Sequence, residues 1–303
     1  MSASLEPPFQ VLLYYLYTPL DDPAAYRQEH WDLCSRLHLR GRILIGKEGI
    51  NGTVSGPTSA TAEYMRVLRE DPRTSGVEFK IDPAEDHPFP KLSIKYREEI
   101  VTLGLGEEDI DPNDVTGTHL SPAEWKRIRE EHPDAIVLDV RNNYESEVGY
   151  FEGAIRPDLD NFRDFPEWVR KNLGDAKGKK VLTYCTGGIR CEKFSGFLVN
   201  EGFEDVSQLH GGIINYAKDP ETQGEGFLGL CYVFDERIVV EANFTDSRTI
   251  VSRCQSCGEA SHRYRNCAHA PCNRQHFLCE HCEEATQRYC SEECRDADQA
   301  AIA

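Results

Sequence analysis

The chain predicts a mixed α/β protein of three parts: an α+β unit, an α/β unit with a parallel sheet, and a small cysteine-rich metal-binding region. Apolar runs and turn signals fall in the order β-α-β-β-α-β over the first hundred or so residues, and then as repeated strand–helix units to about residue 220. One strand of the second unit, Val181 to Tyr184, runs into a cysteine and a glycine turn. Eight of the 12 cysteines lie between Cys254 and Cys294 in close pairs. A length of 303 residues suits two or three domains. The expected boundaries are 1–100, a linker at 101–118, 119–220, and a segment 221–303 whose metal module covers about 251–296.

The first unit opens with an almost unbroken apolar and aromatic run, Phe9 to Tyr17, ended by Thr18-Pro19 and read as a central strand. Asp22 then offers an N-cap and Pro23 an N1 proline for a helix to about Leu39, with Gly41 as its stop. Arg42 to Gly46 is the second strand, Lys47 to Gly52 a glycine-rich turn, and Thr53 to Ser55 the third strand. A helix from Pro57-Thr58-Ser59 runs through Arg69 or Glu70, and Val77 to Ile81 and Lys91 to Tyr96 are further strands. This order is that of a ferredoxin-like, acylphosphatase-like sandwich.

Glycines at 46, 49, 52 and 56 leave two readings open. They let the backbone approach a phosphate or a base, or they serve a hairpin that needs positive φ. Arg40, Arg42, Lys47, Lys91, Lys95 and Arg97 are candidates for a phosphate-contacting face, with scattered solvated charge as the plainer account.

Gly104 to Gly117 is acidic, lacks apolar periodicity and reads as a linker. Ser121, Pro122 and Glu124 then form a capping box with an N1 proline, starting a helix. Ala135 to Val140 is a strand, Phe162 to Leu173 a helix, Val206 to Leu209 a short strand before a helix near Gly212, and Phe227 to Phe234 a last strand. Strand–helix alternation gives a parallel sheet with its reactive loop at a strand's C-terminal end. Cys185 occupies that end, and Thr186, Gly187, Gly188 and Ile189 lead from it into a helix carrying Arg190 and Cys191. Inward backbone N–H groups and the helix dipole favour the thiolate, so Cys185 is the candidate nucleophile.

The run Cys185 to Arg190, of form C-x-x-G-x-R, resembles the active-site loop of the rhodanese family. Val137-Leu138-Asp139-Val140-Arg141 with Glu145 and Gly149 to Ile155, and Leu209-His210-Gly211-Gly212-Ile213, extend the likeness upstream and downstream. A related phosphatase loop would hold one more residue between cysteine and arginine, which argues against phosphate-ester hydrolysis.

A hydrophobic fraction of 39% suffices for ordinary cores, and no stretch reaches the roughly 18 apolar residues of a membrane span. Met1 to Glu6 lacks the basic-then-apolar pattern of an export signal, so the cytoplasm is expected. The net charge of −18 reads first as solubility and tells against broad nucleic-acid affinity, though a local basic face is compatible with it.

In that setting the pairs Cys254/Cys257, Cys267/Cys272, Cys279/Cys282 and Cys290/Cys294 read as ligands of two structural zinc ions. The pairing is open between sequential and interleaved, and His262, His269, His276 and His281 are spare donors. A region this poor in large apolar residues draws its folding energy from the metal. There is no dinucleotide glycine fingerprint and no two-histidine, one-carboxylate iron pattern, so no organic cofactor is evident and a cofactor-free reaction is compatible with the sequence.

Taken whole, the chain resembles the rhodanese-containing tRNA uridine hydroxylases. The likeness rests on Gly46 to Thr53, Asp111 to Gly117, Tyr184 to Lys193, and Tyr232 to Arg237 leading into the cysteine-rich tail. It implies oxygen-dependent conversion of the wobble uridine of tRNA to 5-hydroxyuridine, with dioxygen as co-substrate and the anticodon region as partner. The residues permit a mechanism in which the Cys185 thiolate adds to uracil C6 and Arg190 stabilises developing charge. Cys191 is then a resolving thiol or a half-buried helix residue. A sulfurtransferase carrying a persulfide on Cys185 uses the same loop, and a zinc-organised RNA-binding adaptor with an idle rhodanese unit is the third reading.

Overall fold

The computed structural model describes residues 7–302, so the reading of Met1 to Glu6 lies outside it, as does Ala303. Phe9–Tyr17 forms β1, with side chains alternating between two covered faces. Asp22 caps α1 (Pro23–Arg36) by accepting from Ala25 N at 2.9 Å. The helix ends earlier than expected, at Leu37, and a positive φ at His38 turns the chain into β2 (Arg40–Gly46). Gly41 is therefore a strand residue rather than a helix stop.

β2 pairs with β3 (Gly49–Pro57) through a turn of only Lys47 and Glu48. Ile50 to Gly52, expected in a glycine-rich turn, are strand residues, and the hairpin reading of that segment holds. After α2 (Thr58–Glu70), β4 (Glu78–Ala84) and β5 (Leu92–Tyr96) complete a sheet of order β4-β1-β3-β2-β5, antiparallel except for β2 with β5. Leu12, Tyr14, Ile43, Ile45 and Val54 pack with Tyr26, Tyr64 and Leu68 of the two helices. The opposite face carries Leu13, Tyr15, Leu44, Asn51 and Thr53, and it faces the second unit.

That unit comprises β6 (Thr118–Leu120), α3 (Pro122–Glu131) with its Ser121/Glu124 capping box, β7 (Ile136–Asp139), α4 (Asn143–Ser146) and β8 (Gly149–Phe151). It continues with α5 (Phe165–Asn172), β9 (Lys180–Tyr184), α6 (Ile189–Asn200), β10 (Asp205–Leu209) and α7 (Gly212–Lys218). The helix expected over 162–173 is preceded by a separate 3₁₀ turn at Phe162–Asp164. The sheet is parallel, order β6-β10-β9-β7. Residues 101–118, read as a linker, pack closely: Leu103 and Ile110 are buried among Phe165, Phe194 and Phe197.

β11 (Phe227–Tyr232) pairs with β8 and with β12 (Val239–Glu241). It stops before Val233, whose N–H bonds Ile238 O across a turn. The tail follows as β13 (Tyr264–Asn266), β14 (Gln275–Phe277), α8 (Glu280–Thr286) and α9 (Glu292–Ile302). It is joined to the second unit by Tyr264, which is buried against Val148 and Leu230 and donates its hydroxyl to Tyr144 O on α4. Among the described residues no helix is long and apolar enough to cross a membrane.

Candidate active site

The buried strand β9 delivers Cys185 to the sheet's C-terminal edge, and the chain turns at Gly188, φ +103°, to start α6. A Cβ on Gly188 would lie 2.8 Å from the Tyr15 hydroxyl, so glycine allows both the turn and the close approach of the first sheet. The loop is held from behind by α7: Ile213 N donates to Cys185 O at 3.0 Å and Ile214 N to Thr186 O at 3.1 Å. Gly212 makes this contact possible, since a Cβ there would lie 2.5 Å from Cys185 O.

Gly188 N donates to Cys185 Sγ at 3.1 Å. Burial by itself raises the thiol's pKa, but the Cys191 side-chain hydrogen bond, the Arg190 charge and the N–H groups of Arg190 and Gly188 outweigh it. The net effect brings Cys185 from 9.0 down to about 6. Cys191 moves the opposite way, raised by burial and by its bond to Cys185, so it is the protonated donor of the pair.

Arg190 is fastened by a carboxylate from α4: Nη2 donates to Glu145 Oε1 at 2.9 Å, and Nη1 lies 2.9 Å from Oε2. Glu145 also receives Asn142 N at 3.2 Å in α4's own capping box. The Asp139–Arg141 part of the upstream signature is a fully buried ion pair, 2.6 Å, that also engages the Tyr184 hydroxyl. It braces the sheet beneath the loop and does not line the cleft.

The loop opens onto a cleft of about 320 Å³ between the two units, within the roughly 300–1,000 Å³ usual for small-ligand sites. Cys185, Thr186, Gly187, Ile189 and Arg190 form one wall, and Leu13, Tyr15, Leu44, Asn51 and Thr53 of the first sheet form the other. Phe89, Ile100, Val101 and Phe234 close the sides. Phe234 is 45% exposed, with its ring centroid 5.9 Å from the Arg190 guanidinium carbon.

Of the six basic candidates, Arg42 and Arg97 line this cleft, whereas Arg40, Lys47, Lys91 and Lys95 are exposed outside it. Tyr15, Asn51, Phe89 and Phe234 were not singled out from the sequence as site residues. The alternation of β1 was the available signal, because its two faces are both apolar and both need a cover.

Behind Tyr15 lies a buried carboxylate. Glu192 accepts from the Tyr15 hydroxyl at 2.9 Å, and both its oxygens lie 3.0 Å from His119 Nε2. Burial opposes ionisation of Glu192, but His119, Tyr15 and Gln208 prevail and lower its pKa.

In the tail the sulfurs of Cys254, Cys257, Cys279 and Cys282 lie within 4.8 Å of one another, as do those of Cys267, Cys272, Cys290 and Cys294. The pairing is thus interleaved, first pair with third and second with fourth. None of His262, His269, His276 and His281 belongs to either group. Two all-sulfur quartets suit metal ions that take four soft ligands.

Residues 9–100 match the UPF0176 acylphosphatase like domain, residues 121–219 the Rhodanese-like domain, and residues 228–295 the family described as Rhodanase C-terminal. Fold and site therefore define a rhodanese-type cysteine protein with an acylphosphatase-like unit ahead of it. The chain is 50% identical over 288 residues to a tRNA uridine(34) hydroxylase of Bacillus cereus (strain AH820), covering 95% of this chain and 89% of that one. A protein of the same description from Bacillus cytotoxicus is 50% identical over 292 residues, 96% and 89% of the two chains. Among solved structures, the rhodanese-like domain of an Anabaena protein is 22% identical with a TM-score of 0.31, covering 38% of this chain and 80% of that one. The chain belongs to the family of the tRNA uridine(34) hydroxylases.

Proposed function

We propose that this protein hydroxylates C5 of uridine 34 in tRNA, using dioxygen and the Cys185 thiolate, in the cytoplasm. The observation that carries the reading is the placement of the Cys185 thiol, brought down to about 6 by Cys191, Arg190 and the loop N–H groups, on one wall of a cleft whose facing wall is the first sheet. Family membership supports the substrate, since the relatives are tRNA uridine(34) hydroxylases.

The thiolate adds to uracil C6, and the C5–C6 electron pair moves onto the enolate made by C5, C4 and O4. Arg190 and the loop N–H groups stabilise that charge. C5 then forms a bond to one oxygen of dioxygen, giving a C5 hydroperoxide after protonation. An external donor supplies two electrons that, with protons from solvent, split its O–O bond into a C5 hydroxyl and water, and loss of the C5 proton with departure of the thiolate restores the ring. Cys191, buried on α6 next to Arg190, helps to lower the Cys185 pKa and serves as the resolving thiol if Cys185 is oxidised. Phe234 and Phe89 offer faces for a base turned out of the anticodon stack, and Arg42 and Arg97 offer charge for its backbone. Arg40, Lys47, Lys91 and Lys95 extend that charge outside the cleft. The two cysteine quartets hold structural zinc, which supplies folding energy to the tail and takes no part in the reaction.

The test is mass spectrometry of nucleosides from unmodified tRNA incubated in air with the protein and with Cys185→Ser. One oxygen gained on uridine with the protein, and none with the variant, is the expected result. No gain, together with a protein-bound persulfide after thiosulfate treatment, would replace this reading with a sulfurtransferase.

A further inference from the structure

One polar group of the cleft is explained neither by the cysteine loop nor by the contacts that dock the two units. Asn51 sits on β3 beside Tyr15 of β1 and Leu44 of β2, and its side chain lines the cleft that Cys185 opens into. Its Nδ2 donates to Ile100 O at 2.9 Å. A carbonyl oxygen can only accept, so this bond determines which end of the carboxamide is nitrogen. Oδ1 has no hydrogen-bond partner among the described residues, and it is not among their buried unpaired atoms. Ile100 is itself held, because its N–H donates to Glu48 Oε1 at 2.5 Å and its side chain is fully buried.

We propose that Asn51 selects uracil over cytosine in the cleft, an inference that rests on the tRNA uridine reading above. Uracil presents an N3–H donor next to the O4 acceptor. A carboxamide whose Oδ1 is free accepts from N3–H, and its second Nδ2 hydrogen serves O4. Cytosine presents the reverse, an N3 acceptor beside an amino donor. A free asparagine would meet cytosine by turning its amide over. Here that turn brings Oδ1 against Ile100 O, two acceptors at hydrogen-bond distance, and leaves Ile100 O without its donor. The buried carbonyl of Ile100 therefore acts as the lock, and Asn51 as the reader. Hydrogen-bonding sites of this kind reject the wrong partner far better than an apolar pocket does, because mismatch leaves buried polar groups unpaired.

The experiment compares binding of two anticodon stem-loops that differ only in U34 or C34, under argon so that no product forms. The wild-type protein is expected to prefer U34 by about 100-fold, what one buried carbonyl left without its donor is worth at the upper end. Asn51→Ala should bring the two affinities within about threefold by weakening U34 alone. A structural role for Asn51 would weaken both alike and keep the ratio, and that result, or no preference in the wild type, overturns the proposal. Asn51→Asp keeps the shape but has no N–H for Ile100 O, so it should lose the preference too, and it decides the matter where the alanine variant does not fold. Absence of hydroxylation by the wild type in air counts against the functional reading alone. An unchanged ratio in the variants counts against Asn51 alone.

Discussion

Lys193 Nζ lies 2.7 Å from Glu48 Oε2, which joins the helix of the cysteine loop to the hairpin turn of the first sheet. Glu99 at 3.1 Å and Asp109 at 2.9 Å complete a three-carboxylate cage around an ammonium that is fully buried. The side wall of the cleft and the reactive loop are thus fastened at one point. Removing the cation leaves several carboxylates in a desolvated place. Lys193→Met is expected to cost about 3–5 kcal/mol, read as a lower urea midpoint with little change in slope. Glu48→Gln, which can still bond Lys193, should cost less.

Cys185 should titrate well below an ordinary thiol. Its alkylation by iodoacetamide is expected to be fast above pH about 6 and to fall as the pH drops below that value, since only the thiolate reacts. In Arg190→Gln the opposing effect of burial is less offset, so the midpoint should move upward and the rate at pH 7 should drop about tenfold or more. Cys191→Ala removes the side-chain hydrogen bond to Sγ and should move the midpoint in the same direction. A midpoint that stays put in both variants would show that backbone N–H groups alone hold the thiolate.

Metal removal should reach the active site through one side chain. Tyr264 of the tail bonds Tyr144 O on the short helix that presents Glu145 to Arg190. Exhaustive chelation is expected to remove two zinc ions per chain, one per quartet, and to unfold the tail. The Cys185 alkylation midpoint should then rise, because Arg190, no longer anchored by Glu145, swings away from the thiolate it stabilises. Metal content by atomic emission and the alkylation profile of the same sample check both halves.

Phe234 stands half-exposed at the cleft mouth over Arg190. Phe234→Ala is expected to weaken tRNA binding by about 1–3 kcal/mol, the usual worth of one stacked base, with the Cys185 midpoint unchanged. Arg42→Gln should instead reduce the salt dependence of binding by close to one phosphate contact. Titrations at several salt concentrations separate the two.

Much of this molecule was legible from short stretches. Cys185, the glycine turn and Arg190 lie within six residues, so strand, turn and helix start place them together by local geometry alone. The capping box at Ser121 and the four cysteine pairs are of the same kind. What failed was also local in origin. Gly41 reads as a helix stop until β3 is seen lying beside it, and Ile50 to Gly52 read as a turn until β2 supplies a partner for their backbone.

The amino-acid sequence by itself determined the cysteine at the end of its strand, the order of the three units and the close cysteine pairs of the tail, because each depends on neighbours a few residues away. Only the tertiary structure decided that the quartets interleave, that Lys193 finds Glu48, Glu99 and Asp109, and that Leu13, Tyr15 and Asn51 face Cys185. β1 is apolar on both faces, and period-two alternation tells which residues share a face but not what covers it. The helices take one face and leave the other for the cysteine loop, so the cleft comes from packing between segments more than a hundred residues apart.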